Sequence, residues 1–177
     1  MTENTIKRIA IIGPESSGKS ALSQALAMKY KTTWISEYAR EYLSRLNRSY
    51  LESDVITIYK EQWELEGSAI NESHKFLFID TEFIIGKVWY EHVYNKPSTY
   101  FDNMIKQYPY DFYLLTFPDL PWEADPLREN PGKGLYFFEW YKNILEEHKL
   151  PYSIVSGIGD DRLQCAVKAI NQHFYAS

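Results

Sequence analysis

Short apolar runs alternate along the chain with longer stretches whose apolar positions recur every three or four residues, a rhythm that predicts strands interleaved with helices. Arg8 to Ile12 reads as the first strand, and Gly18 to Tyr30, with Ala21, Leu22, Ala25 and Leu26 at helical spacing, as the first helix. Thr32 to Ile35 is a short second strand, followed from about Asp54 to Asn71 by a helix with Val55, Tyr59 and Trp63 on one face. Phe76 to Asp80 is an apolar strand closed by a carboxylate, and its unbroken apolar run places it in the middle of a sheet. Helices over about Ile85–Tyr94 and Thr99–Gln107 lead to a fourth strand, Phe112 to Phe117. Leu135, Phe138, Tyr141, Ile144 and Leu145 mark a helix that stops before Pro151, and Ser153 to Ser156 is the last strand. Asp161 with Gln164 reads as a capping box opening a final helix whose apolar face is Leu163, Ala166, Val167, Ile170 and Phe174. The alternation predicts an α/β fold, a parallel sheet covered by helices on both faces. Pro118 to Lys133, with four prolines, interrupts the rhythm; an unstructured stretch of that length predicts a functional loop or lid.

At 177 residues and 45% hydrophobic content the chain suits one domain, 1–177, with a lid at about 118–134. A net charge of −5 and the lack of any basic run longer than a pair argue against a nucleic-acid surface. Cys165 is the sole cysteine, which leaves no disulfide framework and no cysteine-based zinc site. Met1-Thr2-Glu3-Asn4 carries an acid and no long apolar stretch follows, so neither a signal peptide nor a membrane span is expected, and the cytoplasm is the expected compartment.

The chemistry concentrates between the first strand and the first helix, in Gly13-Pro14-Glu15-Ser16-Ser17-Gly18-Lys19-Ser20. Two glycines let a backbone curl so that its N–H groups point at an anion, and the helix behind adds the positive end of its dipole. That spacing makes a phosphate-binding loop, in which Gly13, Glu15, Ser16, Ser17, Gly18, Lys19, Ser20 and Ala21 are candidate contacts to ATP. Lys19 reaches the terminal phosphates, and the Ser20 hydroxyl supplies one position on Mg²⁺.

Ligands in such sheets meet the carboxyl ends of strands. Asp80, at one such end, is a candidate to order Mg²⁺ opposite Ser20, or else a helix cap. Glu82, two residues on, shares that task or faces the substrate. Glu37 and Arg40, three apart, share one face if the segment from Ser36 is helical; the carboxylate then accepts a hydroxyl proton while Arg40 binds substrate or phosphate. Either Glu37 or Asp80 can be the base. Arg128 in the 118–133 stretch is either a charge that closes over the transferring phosphoryl group or a solvated loop cation. Trp122 and the tyrosines offer stacking surfaces for a flat ring. Gly157-Ile158-Gly159 is small enough for a nucleotide base to lie against it. Asn95-Lys96-Pro97-Ser98 begins like the guanine-reading motif of GTPases but lacks its carboxylate and reads as a turn, and Asp160-Asp161 reads as the cap of the last helix rather than a metal pair.

The phosphate loop, Glu37-Tyr38-Ala39-Arg40-Glu41-Tyr42, Phe78-Ile79-Asp80-Thr81-Glu82 and Pro121-Trp122-Glu123-Ala124-Asp125-Pro126-Leu127-Arg128 occur in the order found in the ribosylnicotinamide kinase domain of bacterial NadR-type proteins, which the chain resembles over nearly its whole length. The resemblance implies a nucleoside-kinase-like sheet of strand order 2-3-1-4-5 and ATP-dependent phosphorylation of nicotinamide riboside to nicotinamide mononucleotide. It also implies substrate contacts from Glu37, Tyr38, Arg40, Glu82, Trp122 and Asp125. The adenylyltransferase and DNA-binding domains of larger members have no counterpart in these motifs, and Glu82 stands where the family pattern has aspartate. The rival expectation is a nucleotide-dependent switch that acts on a protein partner.

Overall fold

A computed structural model describes residues 5–175; Met1–Asn4, on which the expectation of no leader rests, lie outside the described residues. Five strands, β1 (Lys7–Ile12), β2 (Trp34–Ile35), β3 (Phe76–Asp80), β4 (Phe112–Thr116) and β5 (Tyr152–Val155), form one sheet in the order β2-β3-β1-β4-β5, with every neighbouring pair parallel. β1 is central, and β3 lies one place from it, inside the sheet as its apolar run predicts. The register sets Ile11 beside Asp80 and Ile12 beside Leu115, which brings the ends of β1, β3 and β4 to one edge.

The helices are α1 (Lys19–Tyr30), α2 (Tyr38–Ser44), α3 (Glu52–Ala69, continued by a 3-10 turn Ile70–Glu72), α4 (Phe83–Tyr94), α5 (Thr99–Gln107), α6 (Gly134–Glu147) and α7 (Asp160–Tyr175). Alternate strand residues point to opposite faces, so the sheet feeds two cores. Ile9, Ile11, Phe76, Phe78, Phe112 and Leu114 pack with Leu22 and Leu26 of α1 and Ala166 and Ile170 of α7. Ala10, Ile12, Leu77, Ile79, Tyr113 and Leu115 pack with α3, α4, α5 and α6 through residues such as Tyr59, Phe83, Phe101 and Phe138. Burial of such a side chain stabilises by about 1.5–3 kcal/mol.

Local details correct the sequence reading in places. The second strand is only Trp34–Ile35, the two residues that pair with Phe78 and Ile79 of β3, while the Thr32 hydroxyl donates to the Phe76 carbonyl at 2.5 Å. The last helix starts at Asp160, so Asp161 and Gln164 are not a capping box; Asp160 and Asp161 are both first-turn acids, placed where the helix dipole favours them. Asn95 closes α4 in the left-handed conformation, its N–H donating to the Glu91 carbonyl at 2.9 Å, and Ser98 precedes α5, so the GTPase-like tetrapeptide is a helix-to-helix turn. Among the described residues no helix is long and apolar enough to cross a membrane.

Candidate active site

The loop after β1 is shaped by what its glycines avoid. A Cβ at Gly13 would lie 2.0 Å from Thr116 Oγ1, so only glycine lets β1 and β4 converge there. Gly18 adopts a left-handed φ of 77° immediately before α1, a turn that a side chain would strain. Ser17 is fully buried and its hydroxyl is spent within the protein, donating to the Pro14 carbonyl at 2.7 Å and lying 2.6 Å from Thr116 Oγ1. Ser17 is therefore left with its backbone to offer a ligand. The Lys19 ammonium folds back over the loop and donates to the Pro14 carbonyl at 2.9 Å.

The end of β3 meets the start of α1 at one hydrogen bond: the Ser20 hydroxyl donates to Asp80 Oδ2 at 2.5 Å. Asp80 is fully buried. Burial pushes its carboxyl up to about 6, and the Glu37 charge adds to the rise against the pull of Lys19 and of the Ser20 and Thr81 hydroxyls. No cation pairs with Asp80 among the described salt bridges. A hydroxyl and an unpaired carboxylate are hard oxygen donors that suit Mg²⁺, which takes few protein ligands and fills its remaining positions with water and phosphate oxygens. Among the described residues no cluster of three histidine, cysteine or acidic side chains offers a metal cage. Thr81, just beyond, holds a φ of 74°, the kind of backbone strain that collects at functional sites.

Glu37 lies immediately before α2, and Arg40 returns to it at 3.1 Å through Nε. The helix begins at Tyr38 rather than at Ser36, so the expected three-residue pair forms across its N-terminal boundary, with Glu37 outside the helix. Arg40 Nη1 also meets Asp125 at 2.8 Å, tying α2 to the 118–133 loop. That loop lies across the phosphate loop by several further bonds. The Ser16 hydroxyl accepts from Glu123 N at 2.9 Å and from Arg128 Nη1 at 3.3 Å. The Glu15 carboxylate accepts from the N–H groups of Glu129 and Asn130 at 3.1 and 2.9 Å. Glu15 thus points at the crossing loop rather than at the anion cradle.

These elements enclose a cavity of about 590 Å³. The phosphate loop lines it with Gly13 and Glu15 to Ser20, joined by Ala21, Glu37, Arg40 and Arg128. Apolar and aromatic lining comes from Leu43 of α2, Tyr59 of α3, Val88 and Trp89 of α4, and Phe137 and Tyr141 of α6. Leu120 and Ile158 also border it, the latter from the loop that holds Gly157.

The remaining sequence candidates sit elsewhere. Glu82 is buried and caps α4, accepting from Ile84 N at 2.9 Å, with its carboxyl pushed up to about 8 by burial. Tyr38 gives its N–H to Gln62 at 3.0 Å and sets its ring edge-on to Tyr42. Trp122 stands on the exposed side of its loop, and Asp125 acts through Arg40. None of Tyr38, Asp80, Glu82, Trp122, Asp125 or Gly157 borders the cavity directly.

Two residues that no motif marked hold the site together. Gln62 is buried; its carbonyl accepts from Tyr38 N, and its amide donates to the Asp80 and Thr81 carbonyls at 2.9 and 2.5 Å, so one side chain fixes the start of α2 against the end of β3. Arg162 is equally buried behind the phosphate loop, where Nη1 donates to the Ser17 carbonyl at 3.0 Å. The signal for both is a polar residue on a helix's apolar face: Gln62 falls in phase with Val55 and Tyr59, and Arg162 with Ala166 and Ile170.

The chain is 30% identical over 129 residues to the trifunctional NAD biosynthesis/regulator protein NadR of Salmonella typhimurium, a match that covers 70% of this chain and 31% of that protein. The Escherichia coli protein of the same name matches at 30% over 131 residues and the same coverage, so the chain spans about a third of these curated relatives. A crystal structure of NadR protein in complex with NR superposes with a TM-score of 0.80 at 23% identity, over 98% of this chain and 53% of that one. Deoxyadenosine kinase from M. mycoides superposes at 0.64 and 12% identity, over 93% and 99% of the two chains. The family model described as an AAA domain matches residues 8–162, nearly the whole chain, and with the phosphate loop, the Ser20–Asp80 pair and the 2-3-1-4-5 sheet all in place, the chain belongs to that family of P-loop domains.

Proposed function

We propose that the chain is one kinase unit, with 118–134 as its lid, that moves the terminal phosphoryl group of ATP onto a hydroxyl of a small nucleoside, nicotinamide riboside being the best-supported acceptor. The observation that carries this reading is one cavity of about 590 Å³ lined both by the phosphate loop, Glu37, Arg40 and Arg128 and by apolar and aromatic side chains such as Tyr59, Trp89, Phe137 and Tyr141. The likeness to NadR, over 70% of the chain, supports the choice of acceptor, as does the fold shared with NadR protein in complex with NR.

In this reading the N–H groups of the phosphate loop bind the phosphate chain, and Lys19 leaves the Pro14 carbonyl for the terminal phosphates. The nucleotide base lies beside Gly157-Ile158-Gly159, where Ile158 borders the cavity. Ser20 and Asp80 would hold Mg²⁺, which when bound neutralises phosphate charge. Glu37 takes the proton of the attacking hydroxyl as the new P–O bond forms and ADP departs, because Glu37 faces the cavity while Asp80 is engaged behind Ser20. Arg40 keeps that carboxylate oriented, and Arg128 spreads the developing charge on the transferring group.

The test is a screen of nucleosides and related vitamins with ATP, read as ADP release, beside a Lys19→Ala variant. Turnover with nicotinamide riboside and a loss of roughly 10²–10³-fold in the variant are expected, the scale of removing one preorganised charge. Parent-level turnover by Lys19→Ala would refute the assignment, and reaction with another nucleoside alone would replace the acceptor.

A further inference from the structure

Arg162 makes more hydrogen bonds than any other side chain near the phosphate loop, yet it does not itself line the cavity. Its Nε donates to the Gly157 carbonyl at 2.8 Å, Nη1 to the Ser17 carbonyl at 3.0 Å and Nη2 to the Phe117 carbonyl at 3.2 Å, and Nη2 also pairs with Asp119. Asp119 completes the link, because its other oxygen accepts the Gly157 N–H at 2.7 Å. A guanidinium is planar and always charged, so these directions fix three backbone segments relative to one another. The segments are the phosphate loop after β1, the root of the 118–133 loop after β4, and the Gly157–Gly159 turn after β5.

We propose that Arg162, held by Asp119, is a positioning residue of the donor-nucleotide site. It sets the spacing between the loop that takes the phosphates and the turn that takes the base, so a nucleoside phosphate is gripped at both ends without adjustment. The proposal rests on the nucleotide-binding half of the reading above. Its physical content is preorganisation: two half-sites held at the right separation bind a linked ligand far better than either binds a fragment. The space around the strut is already filled. A Cβ at Gly157 would lie 3.2 Å from Asp161 Cβ and 3.3 Å from Arg162 N, so the turn is seated directly on the start of α7. Lysine at 162 keeps the charge but offers one donor centre in place of the planar fork, and can satisfy only part of the set.

The experiment compares ADP with inorganic pyrophosphate, which offers the phosphates without the base. Calorimetric titration of the parent, Arg162→Lys and Asp119→Asn is paired with thermal melting and with KM for ATP and for the acceptor. Expected for Arg162→Lys is ADP affinity weaker by about tenfold with pyrophosphate affinity within about twofold, and a raised KM for ATP beside an unchanged acceptor KM. Asp119→Asn, which leaves every carbonyl contact of Arg162 in place, moves the same way by about threefold, and the double variant falls no further than Arg162→Lys alone, as expected of residues acting as one unit. Equal loss of ADP and pyrophosphate binding would make Arg162 a support for the phosphate loop only and overturn the proposal. ADP affinity unchanged in both variants would overturn it as well. Should Arg162→Lys fail to fold, Asp119→Asn carries the decision by the same two ratios. A parent that binds neither probe sinks the nucleotide reading itself, whereas a parent that binds both with variants that match it sinks this inference alone.

Discussion

Glu37 and Asp80 are close enough for one charge to raise the other's pKa, yet their surroundings differ. Glu37 borders the cavity and has its carboxylate held by Arg40; Asp80 is fully buried and receives the Ser20 hydroxyl. From that difference, Glu37→Gln is expected to lower kcat by about 10²–10⁴ while the acceptor KM moves little, the span attached to losing a positioned base. Asp80→Asn is expected to act on nucleotide affinity, and only when Mg²⁺ is present. Steady-state kinetics and ADP titration with and without Mg²⁺ separate the two; an Asp80→Asn variant whose ADP affinity still responds to Mg²⁺ as the parent's does would remove Asp80 from the metal. Arg40 shows how the same scale reaches outward, since one guanidinium holds Glu37 at 3.1 Å and Asp125 of the crossing loop at 2.8 Å.

Among the elements, α4 is where packing and site are most tightly joined. It presents Val88 and Trp89 to the cavity, and its approach to α3 and α5 is set by Gly86. A Cβ there would lie 2.4 Å from Phe101 Cε1 and 2.9 Å from Tyr59 Cε2, both on fully or nearly fully buried rings. Gly86→Ala is expected to destabilise by about 1–2 kcal/mol: overpacking costs about 1–3 kcal/mol, and the better helix propensity of alanine returns up to about 1. Chemical denaturation measures it, and an unchanged or raised midpoint would show that α4 can shift without cost. Why the sequence yielded some of this and not the rest is also clearest among the elements. Strands such as Phe76–Asp80 and the glycine loop were legible because a continuous apolar run or a fixed glycine spacing has one structural use. The Gln62 brace was not, because it is a single polar residue inside a helix whose periodicity is set by its apolar neighbours, and its partners are backbone groups distant in sequence. The capping-box reading of Asp161 and Gln164 failed for a related reason: the left-handed Gly159, with φ 56°, lets the chain turn into α7 earlier than the acid spacing implies. Likewise Trp122 and Tyr38 belong to recognisable blocks of sequence, but a block fixes which loop or helix a residue occupies and not which way its side chain points.

Over the whole molecule, buried carboxyls give stability a sign with respect to pH. Burial pushes Glu66 up to about 7, Asp80 up to about 6 and Glu82 up to about 8. A carboxyl whose folded pKa is raised contributes stability that is complete below its unfolded pKa and is lost as pH climbs through the folded value, because the unfolded chain then releases the proton more readily. All three therefore act in one direction, and stability of the ligand-free protein is expected to fall between pH 5 and pH 8. Asp54 acts in the opposite sense at the acid end: hydrogen bonds from Arg48 and the Leu51 N–H hold its carboxyl well below the ordinary range, and that contribution is lost as pH falls below its unfolded pKa. The optimum is thus placed in mildly acidic solution. Glu66 can be tested apart from the cavity, since it does not line it and lies between the Tyr110 hydroxyl, which donates to it at 2.8 Å, and the Arg8 guanidinium at 3.7 Å; its charge in turn opposes the ionisation of Glu82. Glutamine at 66 keeps an oxygen for Tyr110 and removes the titration. Glu66→Gln is therefore expected to flatten the decline by up to about 1.4 kcal/mol per pH unit between about pH 4.5 and pH 7, the limit for one proton, and to be the more stable protein relative to its parent at pH 8 than at pH 5. Urea denaturation at pH 5, 6, 7 and 8 reads this directly, and a parent-to-variant difference that stays constant over the series would show that Glu66 keeps its charge throughout, stabilised by Arg8 more strongly than its burial opposes it.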